Sequence, residues 1–185
     1  MPERGVMYFG LDESNHAGLD KKGEIVVCTY SSNQEDSIIQ DWPNRRENSE
    51  IEKWLSQEDC GFNFTLLLGE RYKHQCSAIN LTEAAPNLIL HILTDPLSSS
   101  TPEKIKIYFD GGGFNREQKN LLRNYFKEIG LTDVVIDNFV KKNKTNREFR
   151  KGPRCPKLVY LADIIANQLY HSPAGELLSH KHLLP

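Results

Sequence analysis

The sequence predicts a three-layer α/β domain, a mixed, roughly five-stranded sheet flanked by helices. Three observations carry this expectation. The chain has 185 residues, the length of one domain. Short apolar or β-branched runs recur at Val6–Leu11, Glu24–Tyr30, Phe62–Leu68, Ile105–Phe109 and Asp133–Phe139. The later runs are separated by stretches of helical spacing, which bring each following strand back parallel to the last.

Taken in order, the first run ends in Asp12-Glu13-Ser14, and turn-rich residues 15–23 lead to a second strand expected antiparallel to it. A polar excursion covers 31–48, broken at Trp42-Pro43. Ser49 is expected to cap a short helix carrying Ile51, Trp54 and Leu55. Gly61 and Gly69 bracket the third strand. From Ala78 to Leu93 the spacing turns helical, but Pro86 lacks an N–H and crowds the turn before it. That segment is expected as two short helices or as one starting near Pro86. Asp95 to Pro102 is a Ser/Pro-rich connector. After the fourth strand, Asn115 and Gln118 have the spacing of a capping box, opening a helix with Leu121, Leu122, Tyr125, Phe126 and Ile129 that Gly130 ends. The last helix is expected over Lys157–Tyr170, with 171–185 a fraying tail. Residues 1–185 read as a single domain.

Hydrophobic residues make up 38% and charged residues 26%, with a net charge of −2, so any basic surface must be local. No apolar run approaches the roughly 18 residues of a membrane helix, and the N-terminal stretch is too short for a signal peptide. Cys28, Cys60, Cys76 and Cys155 form no Cys-x-x-Cys pair, which removes the usual support for a zinc or redox motif. A cytoplasmic protein with reduced thiols and no membrane partner is the expectation. The sequence leaves a homodimer open.

Two carboxylates, Asp12 and Asp110, each follow an apolar, aromatic run. Sites in open α/β sheets form outside the carboxyl ends of parallel strands, so both emerge at one edge if strands one and four are parallel neighbours. Each alone also reads as a turn residue. Asp163 interrupts a helix that is apolar nearly all round, from Leu158 to Leu169. A mid-helix Asp cannot cap, and an unpaired buried carboxylate is costly. It asks for Arg116 or Arg154, for a network including Asn167 on the same face, or for a metal. Three converging carboxylates repel unless divalent cations neutralise them. All-oxygen ligation suits Mg²⁺ or Mn²⁺, and two such ions form the apparatus of in-line phosphodiester hydrolysis.

Together these residues resemble the ribonuclease-H-like superfamily. The first strand ends in Asp-Glu-Ser, a later strand ends in Asp, and the last helix reads Leu-Ala-Asp-Ile-Ile-Ala-Asn. More narrowly they resemble an uncharacterised family that opens with Asp-Glu-Ser-Gly and closes with a Leu-Ala-Asp-hydrophobic helix. The resemblance covers residues 6–170 and implies that Asp12, Asp110 and Asp163 bind two Mg²⁺ or Mn²⁺ ions. The Asp12-Glu13 doublet is also similar to type-2 ribonuclease H, where both acids bind metal, which makes Glu13 a fourth candidate. Adjacent strand residues point to opposite faces, so Glu13 joins the site only if the chain turns there. Asn15 stands where the narrower family has glycine, and the Arg-Gly residues of type-2 enzymes are missing, so a dedicated RNA–DNA junction reader is not expected. The implied activity is a metal-dependent nuclease acting on DNA or RNA, exo or endo. A non-catalytic nucleic-acid-binding protein on the same fold is the alternative, and a structural acid cluster paired with Arg or Lys is a third reading.

Just before the last helix, Lys141, Lys142, Lys144, Arg147, Arg150, Lys151 and Arg154 face the single acid Glu148. This basic loop, 141–154, is a footprint for a phosphate backbone, or a solvated loop. Phe149 within it offers one stacking ring. Gly111-Gly112-Gly113 lacks the Lys-Ser/Thr of a P-loop; it reads as a turn, or as room for a phosphate backbone beside Asp110. His16 reads as a surface residue or a proton carrier near Asp12. Ser14 has no nucleophile-elbow context.

Overall fold

Five strands form the central sheet, and the order in which they lie decides where the acids go. The computed structural model describes residues 5–14, 24–42, 48–67, 77–95, 102–110, 115–139 and 154–171. In chain order the elements are β1 (Val6–Ser14), β2 (Glu24–Ser31), a short 3-10 turn (Gln34–Ser37), β3 (Ile39–Asp41), α1 (Asn48–Leu55), β4 (Cys60–Leu67), α2 (Ser77–Thr94), β5 (Lys104–Asp110), α3 (Arg116–Glu128), β6 (Asp133–Phe139), β7 (Arg154–Pro156) and α4 (Lys157–His171).

The large sheet has the order β4-β2-β1-β5-β6. Its first three strands are an antiparallel meander, while β5 and β6 add parallel to β1. The mixed, five-stranded α/β architecture expected from the sequence is therefore present. A second, two-stranded ribbon pairs β3 with β7, Ile39 opposite Pro156 and Asp41 opposite Arg154. Neither strand was legible. Three residues are too few to show a period of two, and both lie inside stretches dominated by polar residues.

Alternation along each strand sorts the core into two layers. Phe9, Leu11, Val26, Cys28, Ile105, Ile107 and Phe109 face α2 and α3, packing on Leu81, Ala85, Ile89, Leu122 and Phe126. Tyr8, Val27, Phe62 and Tyr108 face α4, with Ile51 and Trp54 of α1 in the same cluster. Helix α4 is buried from Leu158 to Ala162 and from Ile164 to Ala166. It lies between the sheet and an outer cover, where the Trp42 ring stacks on Tyr160 at 4.4 Å and 10°. An all-round apolar helix is what that placement requires.

Three local readings change. Strand β1 does not stop at Leu11 but continues to Ser14, because Asp12, Glu13 and Ser14 pair with Val27, Val26 and Ile25 of β2. Helix α2 is one helix, with Pro86 inside it. The proline costs about 3 kcal/mol in a helix interior, yet Ala84, Ala85, Leu88 and Ile89 around it are all buried, and that packing holds the turn. Helix α1 begins at Asn48, so Ser49 lies within its first turn. The capping box of α3 forms as read: Asn115 Oδ1 accepts from Glu117 N at 2.8 Å and Gln118 N at 3.1 Å, and Asn115 N donates to Gln118 Oε1 at 3.0 Å. Gly130, at φ +90°, follows it.

Candidate functional site

Asp12 and Asp110 come to the same place by register. In the parallel β1–β5 pair Leu11 lies beside Phe109, so the next residue on each strand sets Asp12 beside Asp110. Neighbouring strands are about 4.8 Å apart, which makes these carboxylates lateral neighbours. Both point to the α4 face, because Val27, opposite Asp12, and Tyr108, two residues before Asp110, belong to that layer. Asp12 is 5% exposed and its Oδ1 accepts from Glu13 N at 2.9 Å; Asp110 is half-buried.

The third acid arrives on α4. That helix touches β1 at Gly10, where an added Cβ would stand 2.5 Å from the carbonyl carbon of Leu158. Thr29 Oγ1, across the hairpin from Gly10, lies 2.8 Å from Leu158 O and 3.2 Å from Gly10 O. One residue earlier, Lys157 Nζ meets Asp36 Oδ1 at 2.8 Å. Asp36 is 1% exposed, and its Oδ2 also accepts from Ser31 Oγ at 2.7 Å and Trp54 Nε1 at 3.2 Å. Ser31 pairs with Tyr8, so Lys157 lies nearer the start of β1 and Leu158 further along it. Asp163 lies five residues further along the helix from Leu158, a rise of about 7.5 Å. Asp163 is half-buried on the flank of α4, with Asn167 one turn on. Among the described residues, however, no three His, Cys, Asp or Glu side chains stand close enough to hold a metal ion.

Glu13 goes elsewhere. The condition for its joining Asp12 was a turn of the chain, and the strand instead runs straight on through Ser14. Glu13 lies opposite Val26, which belongs to the α2 layer, so it points to the other face of the sheet. There it meets Glu24, 4% exposed, whose Oε2 accepts from Asn80 Nδ2 of α2 at 2.7 Å. Burial and the charge of Glu13 raise the Glu24 carboxyl to about 7, against the lowering effect of the Asn80 hydrogen bond. Glu24 was not singled out from the sequence. The signal was there, since Glu24, Val26 and Cys28 alternate on what became a buried face. Asp36 had no such signal; it lies in the polar excursion.

Of the basic loop, Lys141, Lys142, Lys144, Arg147, Arg150 and Lys151 lie outside the described residues, as do Gly111–Gly113, His16 and Phe149. Arg154 opens β7 and reaches Asp41 at 3.6 Å, both side chains exposed. Arg116 opens α3, on the face away from α4. Cys28, Cys60 and Cys155 are buried, and burial pushes the Cys28 and Cys60 thiols up, which keeps them protonated and unreactive. No described helix is long and apolar enough to cross a membrane. In comparison with known proteins, no protein-family model matches the sequence, and no curated protein matches it significantly.

Proposed function

We propose that the protein is a metal-dependent nuclease of the ribonuclease-H-like kind, hydrolysing phosphodiester bonds of DNA or RNA. One observation carries the reading. Asp12 and Asp110 are register neighbours on one face of a sheet whose large-sheet strands lie in the chain order 3-2-1-4-5, and the helix packed on that face carries Asp163. Two adjacent carboxylates, joined by a third on the helix, would form an all-oxygen donor set, which suits Mg²⁺ or Mn²⁺. Such ions, when bound, activate a water and stabilise the leaving oxygen of an in-line displacement.

The chain's own residues hold and orient. Asp12 is kept in place by its strand and by the Glu13 N–H, Asp110 by the end of β5, and Asp163 by the anchoring of α4 at Gly10, Thr29 and Asp36. Glu13 has no part in this reading, since it faces the other side of the sheet. The basic stretch 141–154 supplies charge for a phosphate backbone.

The non-catalytic alternative draws on the missing three-acid cluster among the described residues. Incubation with single- and double-stranded DNA and RNA, with and without Mn²⁺, separates the two. The nuclease reading expects Mn²⁺-dependent cleavage that Asp110→Asn reduces by about a hundredfold or more while nucleic-acid binding persists. Salt-sensitive binding with no cleavage of any substrate selects the alternative.

A further inference from the structure

We infer that Glu24 and Glu13, with the amide oxygen of Asn80, form a second site for a hard divalent cation, on the face of the sheet opposite Asp12 and Asp110. The inference is independent of the nuclease reading. It starts from one atom. Glu24 is 4% exposed, its Oε2 is satisfied by Asn80, and its Oε1 is buried with no hydrogen-bond partner. None of the ion pairs among the described residues involves Glu24. Most buried side-chain oxygens in folded proteins have a partner, and one that lacks it calls for a ligand.

The surroundings define which ligand. Glu13 lies opposite Val26, so Glu24 is its diagonal neighbour on the same face, and its charge bears on Glu24. A cation at Oε1 would offset the charge that bears on Glu24 as well as fill a lone pair. The Asn80 amide already gives a hydrogen to Oε2, and its other end is an oxygen. Two carboxylates and an amide oxygen are donors of one kind, with neither thiol nor imidazole. That set takes Mg²⁺, Mn²⁺ or Ca²⁺, with water completing the shell. Bound there, the ion ties the β1–β2 hairpin to the first turn of α2.

Isothermal titration of the full chain with MnCl₂, CaCl₂ and MgCl₂ tests this in an Asp12→Asn/Asp110→Asn background, which removes the two adjacent acids of the other face. The site predicts that this double variant still binds one of the three ions, and that adding Glu24→Gln weakens the binding about tenfold or more. If the triple variant does not fold, Glu13→Gln takes the place of Glu24→Gln. A double variant that binds none of the three ions overturns the inference, as does binding that the added substitution leaves unchanged. Failure here is distinct from failure of the nuclease reading, because Glu24→Gln alone leaves Mn²⁺-dependent cleavage in place.

Discussion

Asp12 and Glu13 are consecutive in sequence, yet they open onto two different regions. On the α4 face, Asp12 has Asp110 at its side, and the helix that carries Asp163 is fixed to the sheet by specific contacts. On the α2 face, Glu13 meets Glu24 and Asn80, at the start of a helix that packs an apolar cluster on the sheet. An alternation with a period of two separates the pair completely. The lesson is that an acidic doublet in a strand is two sites or one site and a neighbour, unless the chain bends between them.

The contrast is broken most severely by releasing α4. Asp36→Ala leaves the Lys157 ammonium, the Trp54 indole and the Ser31 hydroxyl without their common acceptor. Removing one partner of a buried ion pair costs about 3–5 kcal/mol, or about 10 °C in melting temperature for a chain of this size. If the protein is the proposed nuclease, cleavage is expected to fall with it, because the helix that carries Asp163 is released from the sheet. The Glu24 side of the sheet does not depend on Asp36, so cation binding there is expected to survive in the folded fraction. Differential scanning calorimetry with parallel Mn²⁺ titration reads both. An unchanged melting temperature would remove Asp36 as the anchor.

A smaller break comes from Gly10. Its missing side chain is what lets β1 and α4 approach, and an alanine Cβ would press on the backbone of Leu158 and Val159 at 2.5–2.6 Å. Backbone cannot step aside as a side-chain tip can, so Gly10→Ala is expected to destabilise by about 2–3 kcal/mol. Chemical denaturation of variant and wild type measures this directly. A cost near zero would mean that α4 does not rest on β1 at Gly10.

These two residues also mark what the sequence could and could not say. The strands and helices of the main fold were legible because Phe9-Leu11, Val26-Cys28 and the apolar run of α4 carry their periods locally. That Asp12 and Asp110 would emerge at one edge followed from the parallel order expected for strands separated by helices. The length of β1 was not legible, since its last residues are held by β2 rather than by their own propensity. Nor was Asp36 legible: its role depends on Ser31, Trp54 and Lys157, which come from three other parts of the chain. Glu13 could join Asp12 only if the chain turned there, and β1 runs on through Ser14.

The finest probe of the contrast is Glu24→Gln in the presence of EDTA. With no cation bound, the raised carboxyl of Glu24, at about 7 in the fold against 4.5 as an ordinary glutamate, makes the folded state the better proton binder. The fold is then spared any cost below pH 4.5, and loses stability as the pH rises from there through 7, where the unfolded chain ionises more readily. Glutamine keeps the acceptor for Asn80 and has no proton to lose. The variant is therefore expected to match wild type at acid pH and to exceed it above pH 7 by at most about 3 kcal/mol, a rise of several degrees in melting temperature. Replacing EDTA with Mn²⁺ reverses the order, because only the wild-type carboxylate holds the ion. Melting curves across pH in both buffers are sufficient. A difference between the two proteins that does not change with pH would mean that Glu24 ionises as an ordinary surface acid, and that Glu13 does not face it.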